Sequence, residues 1–323
     1  MKTEKNCPYN ESLFERISQK SVREWWMGLA IILVIMHHFC IWHEHSEYFF
    51  WVSSIFVKGD IGVNIFLFFS AFGLCFSYES NGLSHFYYKR AIRIVPLYVI
   101  ALLIVCYLPP PFDVKIDNVC LLLIKQLTGL SLVRGGVEWY LSALILFYLF
   151  FPLVFKLCVW VYARKHYLFF IPLLLIFSEI LYERHLGYNF LFINFFARFV
   201  TIVCGCLLFI CRKNSDYKTI LIFFSICSFL TFFNFHHTVY PFVPLVLIIF
   251  SSVCDRLPME SLFCSIGKYT LEIYLAQFVV VHHIYRNLNN NEWIDITLCT
   301  LLTVIMTFFF VWINRIVFSA IRK

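Results

Sequence analysis

Charged residues are scarce in this sequence. They form 14% of its 323 residues, whereas hydrophobic residues form 61% and the mean hydropathy is +0.79. Soluble globular domains average about a quarter charged and half apolar residues, so the composition excludes a soluble fold. Apolar stretches of about 17 to 25 residues, the length that crosses a bilayer, recur from Trp25 onward. We therefore predict a cytoplasmic N-terminal segment, residues 1–24, followed by one membrane domain, residues 25–320.

The sequence also lacks a concentrated basic face and any CxxC pair. Its net charge of +7 is spread between the apolar runs, which argues against nucleic acid as a partner and favours contact with anionic lipid headgroups. Most of the 13 cysteines lie within or beside apolar runs, where thiols behave as small buried hydrophobes. The first apolar run has no small-residue cleavage site, so we expect it to be a retained span.

The apolar runs predict an all-α polytopic membrane protein, a bundle of about ten transmembrane helices. A shorter amphipathic segment, 119–134, is expected at the membrane interface or as a re-entrant piece. The predicted spans are residues 25–42, 60–78, 92–108, 138–161, 167–183, 190–211, 219–235, 240–254, 270–286 and 294–318.

The distribution of lysine and arginine predicts the orientation of this bundle. Of the 26 basic residues, eighteen fall on the side of the N-terminus, six on the other side, and Lys156 and Arg198 within spans. Cytoplasmic joints are enriched in basic residues. We therefore predict that both termini are cytoplasmic and that the chain is integral to the cytoplasmic (inner) membrane, with residues 79–93 and 212–218 inside and 43–58 and 236–239 outside.

Two adjacent histidines, His37 and His38, lie near the outer end of the first span. Imidazoles are costly in lipid, so they should face the bundle interior, where one could take a proton from a sugar hydroxyl. Adjacent residues differ by about 100° around a helix, so one of the two should face the site. The alternative is an interfacial pair that bonds headgroups or a neighbouring helix. Other histidines also cluster at outer span ends, but without a defined ligand spacing, and no metal site is predicted.

Two further motifs lie in the second predicted span and at the start of the third. Small residues at Gly62, Ser70 and Gly73 allow close helix approach. Arg90 and Arg93 are three residues apart and share a helix face at the cytoplasmic end, where guanidinium groups suit phosphate binding. Ordinary positive-inside anchoring is the alternative explanation for these arginines.

Five motifs in this order make the sequence resemble the acyltransferase-3 family of integral membrane O-acyltransferases across nearly the whole chain. They are the first apolar helix ending in His38-Phe39, then GVNIFLFFSAFG (62–73), FYYKRAIRIVPLY (86–98), WYLSALILFYLFFP (139–152) and IGKYTLEIYLAQ (266–277). The family's first helix carries a basic residue, ten intervening residues and a histidine, which selects His38 and places Met27 at the basic position. Ala71 replaces a common glycine, and Gln277 replaces a frequent histidine.

The resemblance implies transfer of an acyl group, in most members acetyl, from cytoplasmic acyl-coenzyme A to a hydroxyl of a cell-surface or lipid-linked glycan. It implies His38 as the general base, with His37 as the alternative, and Ser70 lining the site. The coenzyme A phosphates would then be held by a set of basic residues: Arg90, Arg93, Lys89 and Arg23.

The sequence is also consistent with two other classes of function. A flippase, polymerase or transporter of polysaccharide assembly would also have ten or more spans, although neither broken helices nor matching halves stand out. A catalytically degenerate family member acting as a partner or sensor is consistent with Met27.

Overall fold

The computed structural model describes residues 19–42, 59–108, 118–131, 139–183, 190–213, 258–285 and 292–321, together with isolated residues between 219 and 250 and Leu288. These parts are helical and contain no strand. Their helices are α1 (Lys20–Trp42), α2 (Ile61–Cys106), α3 (Val119–Thr128), α4 (Tyr140–Ala163), α5 (Tyr167–Glu183), α6 (Phe190–Ile210), α7 (Glu260–Gly267), α8 (Thr270–Val279) and α9 (Glu292–Ile321). A π-helical turn, Val280–Ile284, extends α8.

The described helices confirm the all-α class of the prediction. Three stretches are long and apolar enough to cross a membrane: Ile61–Ser80, Tyr140–Ala163 and Trp293–Ser319. The predicted spans 219–235 and 240–254 lie almost wholly outside the described residues. The count of ten crossings, the placement of the termini and the boundary after residue 24 stay predictions.

Helix α2 contains the predicted spans 60–78 and 92–108 as two helical halves that meet at Gly82, in place of the predicted loop at 79–93. It is helical from Ile61 to Cys106, and only Gly82, with φ of 70°, departs from helical geometry inside it. A positive φ is readily adopted by glycine because it has no Cβ. The chain therefore turns at Gly82 between two helical halves, and Arg90 and Arg93 lie on the second of them.

Helix α7 was not predicted as a separate element, and it packs directly on α1. A Cβ atom added to Gly28 of α1 would meet the carbonyl oxygen of Phe263, and one added to Gly267 would meet the carbonyl oxygen of Glu24. The two backbones therefore touch through reciprocal glycines. Trp25 Nε1 also donates to the carbonyl oxygen of Pro258 over 2.7 Å, which fixes the entry to α7.

The amphipathic segment forms the ten-residue helix α3, between an Asn118 cap and a left-handed Gly129. The Asn118 side chain accepts from the backbone N–H of Leu121 over 2.9 Å, the usual way a helix start is satisfied. The buried Gln126 amide oxygen accepts from the hydroxyls of Tyr98 and Ser142. These bonds fasten α3 to α2 and α4, so this helix is packed against the bundle.

Candidate active site

A cavity of about 440 Å³ opens among α1, α2, α4 and the α7–α8 segment. It is lined by both the basic and the small residues of the sequence motifs. Its lining residues are Lys20, Arg23, Glu24, Met27, Phe66, Phe69, Ser70, Gly73, Leu74, Arg90, Arg93, Ile94, Tyr140, Leu141, Leu144, Tyr148, Gly267, Lys268, Thr270, Leu271 and Tyr274. We call this space the donor cavity.

Basic side chains surround one end of the donor cavity. Arg23, Arg90 and Arg93 all line it, as predicted for a common binding site, and Lys268 joins them. Lys89, placed in the same set from the sequence, is exposed and is not among the lining residues. The structure therefore groups three of the four predicted basic residues and adds two, Lys20 and Lys268, that the motifs did not single out.

Arg90 is the most constrained of these cations. Its guanidinium carbon lies 5.7 Å from the ring centroid of Phe86 and 5.8 Å from that of Tyr148. Its Nη2 lies 3.4 Å from the carbonyl oxygen of Gly73. Guanidinium groups held over aromatic rings keep their donors directed while remaining charged. This contact joins the two halves of α2 on either side of Gly82.

His38 does not line the donor cavity, and a different helix holds it. Its Nδ1 lies 3.0 Å from Oε1 of Gln277 on α8, which is fully buried. When Oε1 accepts this hydrogen bond, Nδ1 carries the ring proton and Nε2 presents the lone pair that a general base needs. The histidine frequent at position 277 in the family is thus replaced here by an amide that orients His38.

Further polar groups surround this end of the bundle. The ring centroids of His37 and His38 are 5.7 Å apart. Arg198 of α6, 2% exposed, donates to the carboxylate of Asp60 over 3.0 Å. The buried Asn64 accepts from Thr201 over 3.2 Å. A buried cation needs a nearby anion, so the Asp60–Arg198 pair fixes α2 to α6 near the histidines.

The predicted site residues therefore fall into two groups. Ser70, Arg23, Arg90 and Arg93 meet in the donor cavity, whereas His37 and His38 lie beyond its inner end. Met27 and His38 are eleven residues apart on α1, which corresponds to about 16 Å along a helix. Sequence reasoning missed Gln277 as the partner of His38 because 239 residues separate them.

Among the described residues, no group of three or more His, Cys, Asp or Glu side chains is arranged to hold a metal ion. Several outer-end histidines, among them His43, His45 and His236, lie outside those residues. The buried thiols of Cys75 and Cys206 lie 3.8 Å apart in the interior of the bundle, where they pack as small hydrophobes.

The described residues form a helical bundle with a cavity lined by basic side chains and a half-buried histidine held by Gln277. The acyltransferase-3 family model, described as an acyltransferase domain, matches residues 24–315. The chain therefore belongs to the acyltransferase-3 family of membrane acyltransferases. No curated protein and no solved structure matches the chain.

Proposed function

We propose that this chain transfers an acetyl group from cytoplasmic acetyl-coenzyme A to a hydroxyl of a cell-surface or lipid-linked glycan. The observation that carries the proposal is the donor cavity, which five basic residues and one acidic residue line together: Lys20, Arg23, Arg90, Arg93, Lys268 and Glu24. Coenzyme A carries three phosphate groups at one end and its thioester at the other. A molecule of that shape matches a cavity that is basic at its mouth and apolar further in.

The basic end supports binding of the coenzyme A phosphates. Arg90 and Arg93 follow one another on the same face of α2, so their guanidinium groups can bind neighbouring phosphate oxygens. Ser70 lies one turn before Gly73 on the first half of α2 and lines the path of the pantetheine arm. The alternative role, anchoring to lipid headgroups, does not require these side chains to share a cavity.

The histidine end supports activation of the acceptor. The acceptor hydroxyl gives its proton to Nε2 of His38 while its oxygen bonds to the thioester carbonyl carbon. The carbon–sulfur bond then breaks, and coenzyme A leaves as a thiolate that takes up the proton from His38. Gln277 Nε2 is buried without a hydrogen-bond partner among the described residues, so it can donate to a substrate oxygen.

Comparing glycans from cells with and without the gene by mass spectrometry tests the acceptor side. We expect O-acetyl groups on a surface glycan or lipid-linked sugar only when the chain is present. An unchanged acetylation pattern together with a lost or shortened polysaccharide would favour a flippase or polymerase instead.

Replacing Arg90 and Arg93 together by alanine tests the donor side. Each charge-assisted contact to phosphate contributes about 1.5–3 kcal/mol, so acetyl-coenzyme A binding should weaken at least about tenfold, less so at high salt. Calorimetry on the purified protein measures this change. Arg164→Ala is the matched control, since Arg164 is an exposed arginine outside the cavity lining. If the double variant binds acetyl-coenzyme A with unchanged affinity at low salt, the two arginines only anchor the helix at the membrane surface.

A further inference from the structure

Three aromatic side chains and one methionine lie at the inner end of the donor cavity. We call these four residues the aromatic barrier: Met27, Phe66, Tyr140 and Tyr274. Each comes from a different helix, namely α1, α2, α4 and α8. On each of these helices, the barrier residue is the cavity-lining residue nearest to the end of the bundle at which His38 lies. The lining of α1 stops at Met27, that of α2 begins at Phe66, that of α4 begins at Tyr140, and that of α8 stops at Tyr274.

The rings of the barrier touch one another. The ring centroids of Tyr140 and Tyr274 are 4.9 Å apart, and those of Phe66 and Tyr140 are 6.3 Å apart. Both distances lie within the range of aromatic pairs in contact. Phe66 is 4% exposed, Tyr140 7% and Tyr274 6%. All three side chains are therefore buried in the bundle.

The far side of the barrier leads to the histidine. Gln277 follows Tyr274 by three residues on α8, which is about 4.5 Å along the axis and on the same side of the helix. Gln277 holds His38. The barrier therefore stands between the cavity that contains the basic residues and the imidazole that the reaction requires.

We infer that the aromatic barrier separates the thioester from the acceptor compartment and restricts the donor to a short acyl group. This inference rests on the proposed acyltransferase function. A long acyl chain would extend past the thioester into the rings, whereas an acetyl group ends before them. Transfer requires the rings of Tyr140 and Tyr274 to move apart, so that the acceptor hydroxyl beside His38 reaches the thioester carbonyl carbon.

The barrier also keeps water from the thioester. If water reaches it, the water oxygen bonds to the carbonyl carbon, the carbon–sulfur bond breaks, and acetate and coenzyme A are released without transfer. Excluding water from a reactive intermediate is a recurrent role of closed active sites. Opening the barrier should therefore raise hydrolysis and broaden the range of acyl donors together.

Tyr274→Ala in the purified full-length protein tests both consequences without knowledge of the glycan. We expect the affinity for hexanoyl-coenzyme A, relative to acetyl-coenzyme A, to rise about tenfold, the lower range of discrimination by size in a pocket. We also expect faster release of free coenzyme A thiol from acetyl-coenzyme A in the absence of acceptor. Tyr274→Phe keeps the ring, so both changes should be smaller in it than in Tyr274→Ala.

Tyr167→Ala is the matched control, because Tyr167 is equally buried at 6% exposure but lies outside the cavity lining. Met27→Ala is a second opening variant, on α1. It keeps the test valid if Tyr274→Ala does not fold. If both opening variants bind acetyl-coenzyme A but keep wild-type acyl preference and thiol release, the barrier inference is wrong and the proposed function stands. A folded wild-type protein that binds neither thioester would overturn the proposed function and the barrier with it.

Discussion

The orientation of the His38 imidazole depends on one amide. Gln277 contributes its oxygen to Nδ1, and it is placed by α8, a helix whose buried residues include Tyr274 and Glu272. Glu272 in turn accepts from Asn314 of α9 over 2.6 Å, which fastens the same helix from its other side. The spacing of the family motif could select His38 over His37, but the partner of His38 could not be predicted, because it comes from the far end of the chain.

Replacing His38 by alanine should lower acyl transfer by about 10²–10⁴, the usual contribution of a general base, while expression and folding stay near normal. His37→Ala should have a milder effect, since His38 is the histidine that Gln277 orients. Complementing cells that lack the gene with each variant, and measuring O-acetyl groups on their glycans, compares the two. Equal acetylation in both single variants and in the double variant would reject the histidine-base mechanism.

Gln277→Leu removes the acceptor of the His38 hydrogen bond at nearly constant volume. One hydrogen bond contributes about 1–1.5 kcal/mol, so we expect transfer to fall about five- to tenfold through loss of His38 orientation. Acetyl-coenzyme A affinity should not change, since Gln277 is not a lining residue of the donor cavity. Gln277→Glu retains an acceptor oxygen and serves as the conservative variant. Equal transfer by the leucine variant and the wild type would remove Gln277 from the mechanism.

At the scale of elements, the limits of sequence reasoning are physical. The predicted span 167–183 coincides with α5, because the polar turn Arg164–His166 ends the preceding apolar run. Helix α7 was not predicted because eight residues are too few to show a periodic pattern. It is stabilised by close packing against α1. The short turn at Gly82 was also missed, since polar residues on both sides of a glycine favour a longer loop.

The contact between α1 and α7 yields a stability prediction. Gly28→Ala places a methyl group against the Phe263 carbonyl oxygen, and overpacking of this kind costs about 1–3 kcal/mol. Thermal unfolding of the purified variant, followed by tryptophan fluorescence, should show a lower midpoint. Gly73→Ala is the control, because no atom lies within 4 Å of its Cβ position, and it should not lower the midpoint. A midpoint for Gly28→Ala at or above that of the control would contradict the reciprocal glycine contact.

At the scale of the whole molecule, side chains far apart in sequence pair at the two ends of the bundle. Arg212, just after α6, donates to Glu79 of α2 over 2.8 Å. Both lie in joints predicted on the cytoplasmic side. At the opposite end, Arg198 pairs with Asp60. The first half of α2 therefore contacts α6 or the residues beside it near both of its ends, and the side of the membrane on which each joint lies stays a prediction.

This arrangement leads to a test of orientation. Ser84 is exposed in the part of α2 just after Gly82, and we expect it to face the cytoplasm. With the thirteen cysteines replaced, Ser84→Cys should resist a membrane-impermeant maleimide in intact cells and react after permeabilisation. Ser46→Cys, in the predicted outer segment 43–58, should react in both conditions and serves as the control. Labelling of Ser84→Cys in intact cells would reverse the orientation, and would place the basic mouth of the donor cavity on the side where acyl-coenzyme A is not made.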